Sequence, residues 1–213
     1  MPRPPGARDA AYEERRTELL RRLRERLDQR AAGHASLRDL ATAAGVSVST
    51  LGHYFGRRDD VIRAVLDDDH RSGEWYLGWM MRAEGPFEAS VTAAVVALTA
   101  GLAHGELSQR FATGLTESLR HPTLGPVFLD RWLEPMVKAV EARLGAHVAQ
   151  GEMRAAGPDD VRVAALALVS PLLLAAMHQR ALGGDGTRPL DLDAFATAHA
   201  AAFIRAWSTR PAG

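Results

Sequence analysis

Residues 36–58 read SLRDLATAAGVSVSTLGHYFGRR. Ser36 followed three residues later by Asp39 is a capping-box pattern, with Asp standing where Glu is usual. It predicts a short helix running to Ala44, with Gly45 as a left-handed cap. Ser47 predicts the start of a second short helix through Tyr54 or Phe55, which Gly56 breaks. Leu37, Leu40, Ala41 and Ala44 bury the first helix, and Val46, Leu51 and Phe55 bury the second. Ala41 is small enough to let the two approach closely. Two short helices joined by a tight turn make a helix-turn-helix. Ser47, Val48, Ser49, Thr50 and His53 are left facing outward, as short groups on a helix N-terminus that fit the major groove of DNA. Ser36, Thr42 and Tyr54 join them as candidate DNA contacts, and Arg57 and Arg58 are placed to reach phosphates.

Outward from this stretch the pattern stays helical. Residues 1–8 read as a disordered basic tail. Asp9 to Arg30 carries Leu19, Leu20, Leu23 and Leu27 at helical spacing, and Gly33 ends it. A long helix is predicted from Asp59 to about Arg82. Others follow from Pro86 to about Ala103, Glu106 to Arg120, about Pro126 to Leu144 with Pro135 bending it, Asp159 to Leu182, and Leu192 to Ser208. Gly183 to Gly186 reads as a loop. No stretch alternates with period two, so no sheet is predicted. The fold class is all-α. Residues 9–58 form a three-helix DNA-binding domain, residues 59–82 a connecting helix, and residues 83–213 a larger ligand-binding and dimerisation domain.

Composition narrows the function. The 213 residues carry 26 basic and 26 acidic side chains, so the chain as a whole is not a cationic nucleic-acid coat. Residues 1–63 nevertheless hold 13 Arg against 9 Asp plus Glu, a basic head on a slightly acidic body. The absence of cysteine excludes disulfide scaffolds, zinc fingers and thiol nucleophiles. A single lysine, Lys138, and no asparagine point to a GC-rich, bacterial genome. No signal peptide is visible. The charge-free stretch Val163–Met177 falls short of the roughly 20 residues that span a bilayer. A cytoplasmic protein without membrane contact is expected. Gly-x-Ser-x-Gly, Walker, Rossmann and His-Glu-x-x-His patterns are missing, so no catalytic residues and no cofactor are expected. The histidines show no close metal spacing, and no metal site is expected. Glu117 near His121 reads as an ordinary surface pair.

Leu40-Ala41, Ala44-Gly45-Val46-Ser47, Thr50-Leu51, His53-Tyr54-Phe55 and Arg58-Asp59 together resemble the DNA-binding domain of the TetR family of bacterial repressors. The motif covers about a tenth of the chain; the remainder resembles the family in size and helix layout only. Three positions depart from the family's pattern. Gly52 stands where an aromatic residue often places a hydroxyl on a phosphate, Val48 replaces a frequent Lys, and Arg58 replaces the usual Lys. Gly52 also weakens its helix by about 1 kcal/mol relative to Ala.

In the larger domain, Val163–Met177 is apolar on every face and must be covered on all sides. With the last helix it offers either a four-helix interface between two copies through Leu168, Leu172, Phe195, His199, Phe203 and Trp207, or an internal bundle core. In the family the last two helices dimerise. The resemblance further implies an apolar effector cavity among the central helices. Trp75, Trp79, Arg82, Phe111, Glu117, Trp132, Met136, Met177 and His178 are its candidate lining, and His104, Thr113 and Arg131 are further polar groups nearby. The expected function is a ligand-responsive regulator, a repressor that binds palindromic operator DNA as a homodimer and is released by a small, largely apolar effector. The alternative is a helical homodimeric interaction or ligand-binding protein without sequence-specific DNA binding.

Overall fold

The computed structural model describes residues 7–29, 34–103 and 106–209. The expected end of the first helix at Gly33, His104, and most of the basic tail lie outside the described residues. The helices are α1 (Ala7–Leu27), α2 (Leu37–Ala44), α3 (Val48–Phe55), α4 (Arg58–Met80), α5 (Phe87–Ala103), α6 (Glu106–Arg120), α7 (Gly125–Phe128), α8 (Glu134–Ala149), α9 (Pro158–Ala176), α10 (Gly184–Thr187) and α11 (Leu192–Trp207). π-helical turns at Leu129–Leu133 and Met177–Ala181 follow α7 and α9. The all-α expectation holds: among the described residues the extended pairing is limited to one isolated bridge, Met153 with Ser208.

Two local expectations change, and a third gains detail. Pro135 lies within one unbroken helical run of residues 125–149, in the first turn of α8 and just after the π-turn Leu129–Leu133. A proline inside a helical run has no N–H to give to the preceding turn, and the π-turn lies where that bond is missing. Most of the expected Gly183–Gly186 loop is taken up by the short helix α10, which runs on to Thr187. The apolar stretch centred on Val163–Met177 belongs to a helical run from Pro158 to Ala181, long and apolar enough by length and composition to cross a membrane. The inward residues of that run, among them Ala164, Ala165, Leu168 and Leu172, are part of a protein core.

Two compact units divide the chain differently from the sequence boundaries. The first comprises residues 1–71 together with 113–128, so the second half of α6 and α7 join the helix-turn-helix. Leu19, Leu20, Leu23, Leu40, Leu51, Val61 and Ile62 are buried here. Arg24 of α1 ties onto α4, donating to the Val65 carbonyl at 2.7 Å and pairing with Asp69 at 2.6 Å. Gly114 of α6 is required by contact: a Cβ there would lie 2.8 Å from the Phe128 ring and 3.2 Å from Leu66.

The second unit comprises residues 72–112 and 129–213. Its core gathers Phe87, Val91, Val95, Val140, Leu144, Leu168 and Phe203 from α5, α8, α9 and α11. Arg143 of α8 is 2% exposed, yet all three nitrogens of its guanidinium are bonded. It donates to the Met80 carbonyl at 2.7 Å, the Trp79 carbonyl at 3.1 Å and the Ser90 hydroxyl at 2.9 Å. The last carbonyls of α4 have no partner within their own helix, and a cation at that end also suits the helix dipole.

Candidate functional site

The helix-turn-helix is assembled by its caps. Ser36 accepts from the Asp39 backbone N–H at 3.2 Å, while Asp39 Oδ2 accepts from the Ser36 backbone at 2.9 Å and its hydroxyl at 2.7 Å. These bonds hold the Asp39 carboxyl below the usual aspartate pKa. Gly45 closes α2 at φ 69°, a left-handed conformation that costs other residues. Ser47 caps α3 by accepting from the Thr50 N–H at 3.0 Å, and the two hydroxyls lie 2.8 Å apart. Leu40, Ala41, Ala44 and Leu51 are buried between the helices. The buried side fixes what the outer side presents.

That outer side carries most of the residues expected to contact DNA. Ser47, Val48, Ser49 and His53 are exposed and Thr50 is half-buried. Thr42 is exposed on α2, its hydroxyl donating to the Arg38 carbonyl at 2.9 Å. Ser36 is exposed but committed to its cap. Tyr54 is half-buried and stacks on Tyr12 of α1 at 4.8 Å between ring centroids, with its neighbour Phe55 beneath Arg16. Arg57 is exposed. Arg38, exposed on α2, is a further cation that the sequence reading passed over.

Arg58 overturns its expectation. Its guanidinium turns inward, with 14% of the side chain exposed. It donates to the Ala35 carbonyl at 2.7 Å and Glu117 Oε2 at 2.7 Å, and lies 3.1 Å from His34 Nδ1 and 3.3 Å from His121 Nε2. It ties the start of α4 to the segment before α2 and to the end of α6. Glu117, expected in the pocket, is instead committed to Arg58 and belongs to the first unit. Nor are Glu117 and His121 a surface pair, since both converge on Arg58. No spacing rule could have joined residues 34, 58, 117 and 121, which only the tertiary fold brings together.

In the second unit a cavity of about 50 Å³ opens among α4, α5, α6, α8 and α9. Phe111, Trp132 and Met136 line it as expected, with Tyr76, Leu102 and Leu173. The Tyr76 hydroxyl is buried with no hydrogen-bond partner among the described residues, and burial pushes its pKa up. The other pocket candidates fall elsewhere. Trp75 is 76% exposed on α4, and Arg82 is exposed beyond that helix's end at Met80. Trp79 lies under the Arg143 guanidinium at 5.0 Å. Met177 and His178 sit in the π-turn, where the side chain of His178 meets that of Gln179 at 2.7 Å.

The expected dimer residues divide as well. Leu168, Leu172 and Phe203 are 0%, 4% and 5% exposed within one chain, so a partner copy cannot reach them. Phe195, His199 and Trp207 are half-buried, and His199 Nε2 donates to the Leu168 carbonyl at 3.0 Å. What α9 leaves open is Val163, Leu166 and Leu174, and what α11 leaves open is Ala194, Ala198 and Ala202. Both rows follow helical spacing.

No protein-family model matches the chain, and no curated protein matches it by sequence. Solved structures do match. A protein of Mesorhizobium loti described as a TetR-family transcriptional regulator superposes with TM-score 0.75 at 18% identity, over 93% of this chain and 98% of its own. One of Rhodococcus, also described as TetR-family, gives 0.70 at 16% identity over 91% and 98%. A TetR transcription regulator from Haloarcula marismortui gives 0.69 at 14% identity over 92% and 100%. The chain has the fold of the TetR-family transcriptional regulators.

Proposed function

We propose that the chain is a ligand-responsive transcriptional regulator that binds double-stranded operator DNA through α3 as a homodimer. The observation that carries this reading is the outer surface of α3. Val48, Ser49 and His53 stand clear of the fold while Leu51 locks the helix against α2. Small exposed side chains on a rigid helix leave the base edges within reach, and nearby Arg38 and Arg57 supply phosphate contacts. The open rows on α9 and α11 are the surface for the second copy, replacing Leu168, Leu172 and Phe203 in that role. Two heads related by a two-fold axis read matched half-sites.

The cavity at Tyr76, Phe111, Trp132 and Met136 is the effector site. Its volume holds only a few water molecules, so an effector must widen it. An uncharged, largely apolar molecule with one oxygen for the Tyr76 hydroxyl suits the lining. α4 runs through both units, and an effector that binds one position of α4 more tightly shifts the population by that difference in affinity. Release from the operator makes this a repressor of a cytoplasmic, bacterial kind. Purified chain incubated with the DNA upstream of its own gene should give a salt-sensitive gel shift. Failure to retain that DNA, or any fragment of the source genome, overturns the reading in favour of a helical interaction protein.

A further inference from the structure

We propose that His34, Glu117 and His121 form a binding site for a divalent transition-metal ion of the zinc type, in which Arg58 is a built-in competitor for the same lone pairs. One ligand atom from each of the three residues falls within 4.8 Å of the others. The two imidazoles are stacked with centroids 5.3 Å apart, and His34 Nδ1 lies 3.9 Å from Glu117 Oε1.

The tautomers follow from Arg58. A guanidinium has donors only. His34 Nδ1 and His121 Nε2, at 3.1 and 3.3 Å from it, bond to it only by presenting lone pairs. Glu117 Oε2 accepts from it at 2.7 Å. Two neutral imidazole nitrogens and one carboxylate aimed at a common cation are the ligand set of an open zinc site. Magnesium and calcium prefer oxygen donors and fit it poorly. A carboxylate also stands behind one of the imidazoles. Asp59 Oδ1 is 3.8 Å from His121 Nδ1, on the ring edge away from the donor atom, and Thr123 holds the other Asp59 oxygen at 2.7 Å. On closer approach a carboxylate there could take up the ring's other N–H, as the partners of metal-bound histidines do.

Bond lengths near 2.1 Å bring tetrahedral ligands to about 3.4 Å from one another, so the cluster must contract. His34 can supply that movement, because its side chain is 42% exposed in the segment before α2. The ion's charge expels the Arg58 guanidinium, which gives up the Ala35 carbonyl as it leaves. Ala35 precedes the N-cap of α2, and Arg58 follows the C-cap of α3 by two residues. The exchange of one cation for another therefore acts on both flanks of the helix-turn-helix.

Calorimetric titration of the tag-free chain with Zn²⁺, with Mg²⁺ as control, tests the site without DNA. One Zn²⁺ per chain and no Mg²⁺ binding are expected. His34→Ala removes an exposed ligand and should weaken Zn²⁺ at least about tenfold with an unchanged circular dichroism spectrum. Arg58→Ala, if folded, should tighten Zn²⁺ by removing its competitor. It leaves the buried Glu117 unpaired and can unfold the first unit, in which case His34→Ala alone decides. No zinc binding, wild-type affinity in His34→Ala, or a folded Arg58→Ala that binds no more tightly overturns the proposal.

Discussion

Gly52 lies in the middle of α3, an eight-residue helix whose stability sets how rigidly its outer residues are held. Its φ is not positive, so the backbone there needs no glycine. A Cβ built at Gly52 meets nothing within 4 Å. Gly52→Ala therefore gains helix propensity without a clash, about 0.8–1 kcal/mol. In a chain of this size that raises the unfolding midpoint by about 2–4 °C. Thermal unfolding followed by circular dichroism, with urea titration for the free energy, measures it. The open space also bears on DNA, because a methyl group is too small to push α3 from the groove. Affinity for a retained fragment should stay level or rise. Gly52→Tyr should go further, adding a hydroxyl within reach of a phosphate and strengthening binding on all sequences alike. A lower midpoint for Gly52→Ala would refute the helix geometry. A raised midpoint with lost DNA binding would mean that the backbone at Gly52 itself approaches the duplex.

Ser36→Ala removes the α2 cap and should cost about 1 kcal/mol at neutral pH in urea unfolding. The bonds to Asp39 favour its ionised form, so the part they contribute is present above the ordinary aspartate pKa and fades as pH falls through the lowered one; an undiminished difference at low pH would contradict the capping box. Leu168→Ala empties a fully buried position of the second unit and should cost about 2–5 kcal/mol, whereas a loss below 1 kcal/mol would place Leu168 at a yielding surface. Leu174→Glu puts a charge on a residue that is 67% exposed within one chain and should leave the fold intact while shifting sedimentation from dimer toward monomer; an unchanged dimer would move the interface elsewhere.

Much of the helix-turn-helix was legible because its signals are local. Ser36, Gly45 and Ser47 each act within four residues, and their caps stand where the sequence puts them. Periodicity likewise located α1, α5, α6 and α11 to within a few residues. What escaped depends on distant neighbours. Arg58 reads as a free cation until Glu117, 59 positions away, is folded against it. Leu168 and Phe203 lie on apolar faces, as periodicity says, but periodicity does not say whether the same chain or another covers the face. The aromatic run from Trp75 to Trp79 reads as one cluster, yet successive helical positions diverge. Tyr76 lines the cavity while Trp75 faces outward. The π-turn before Pro135 was not legible, because sequence marks the proline but not how the helix around it absorbs the lost bond.

Selection of genomic fragments by the purified chain, repeated with Thr50→Ala and His53→Ala, tests most directly whether α3 reads DNA. The account predicts a two-fold symmetric site for the wild type. It predicts that each variant relaxes the preference at particular bases, by roughly 1–3 kcal/mol where a contact is lost. An unchanged preference in both variants, or selection of no sequence by the wild type, would contradict it.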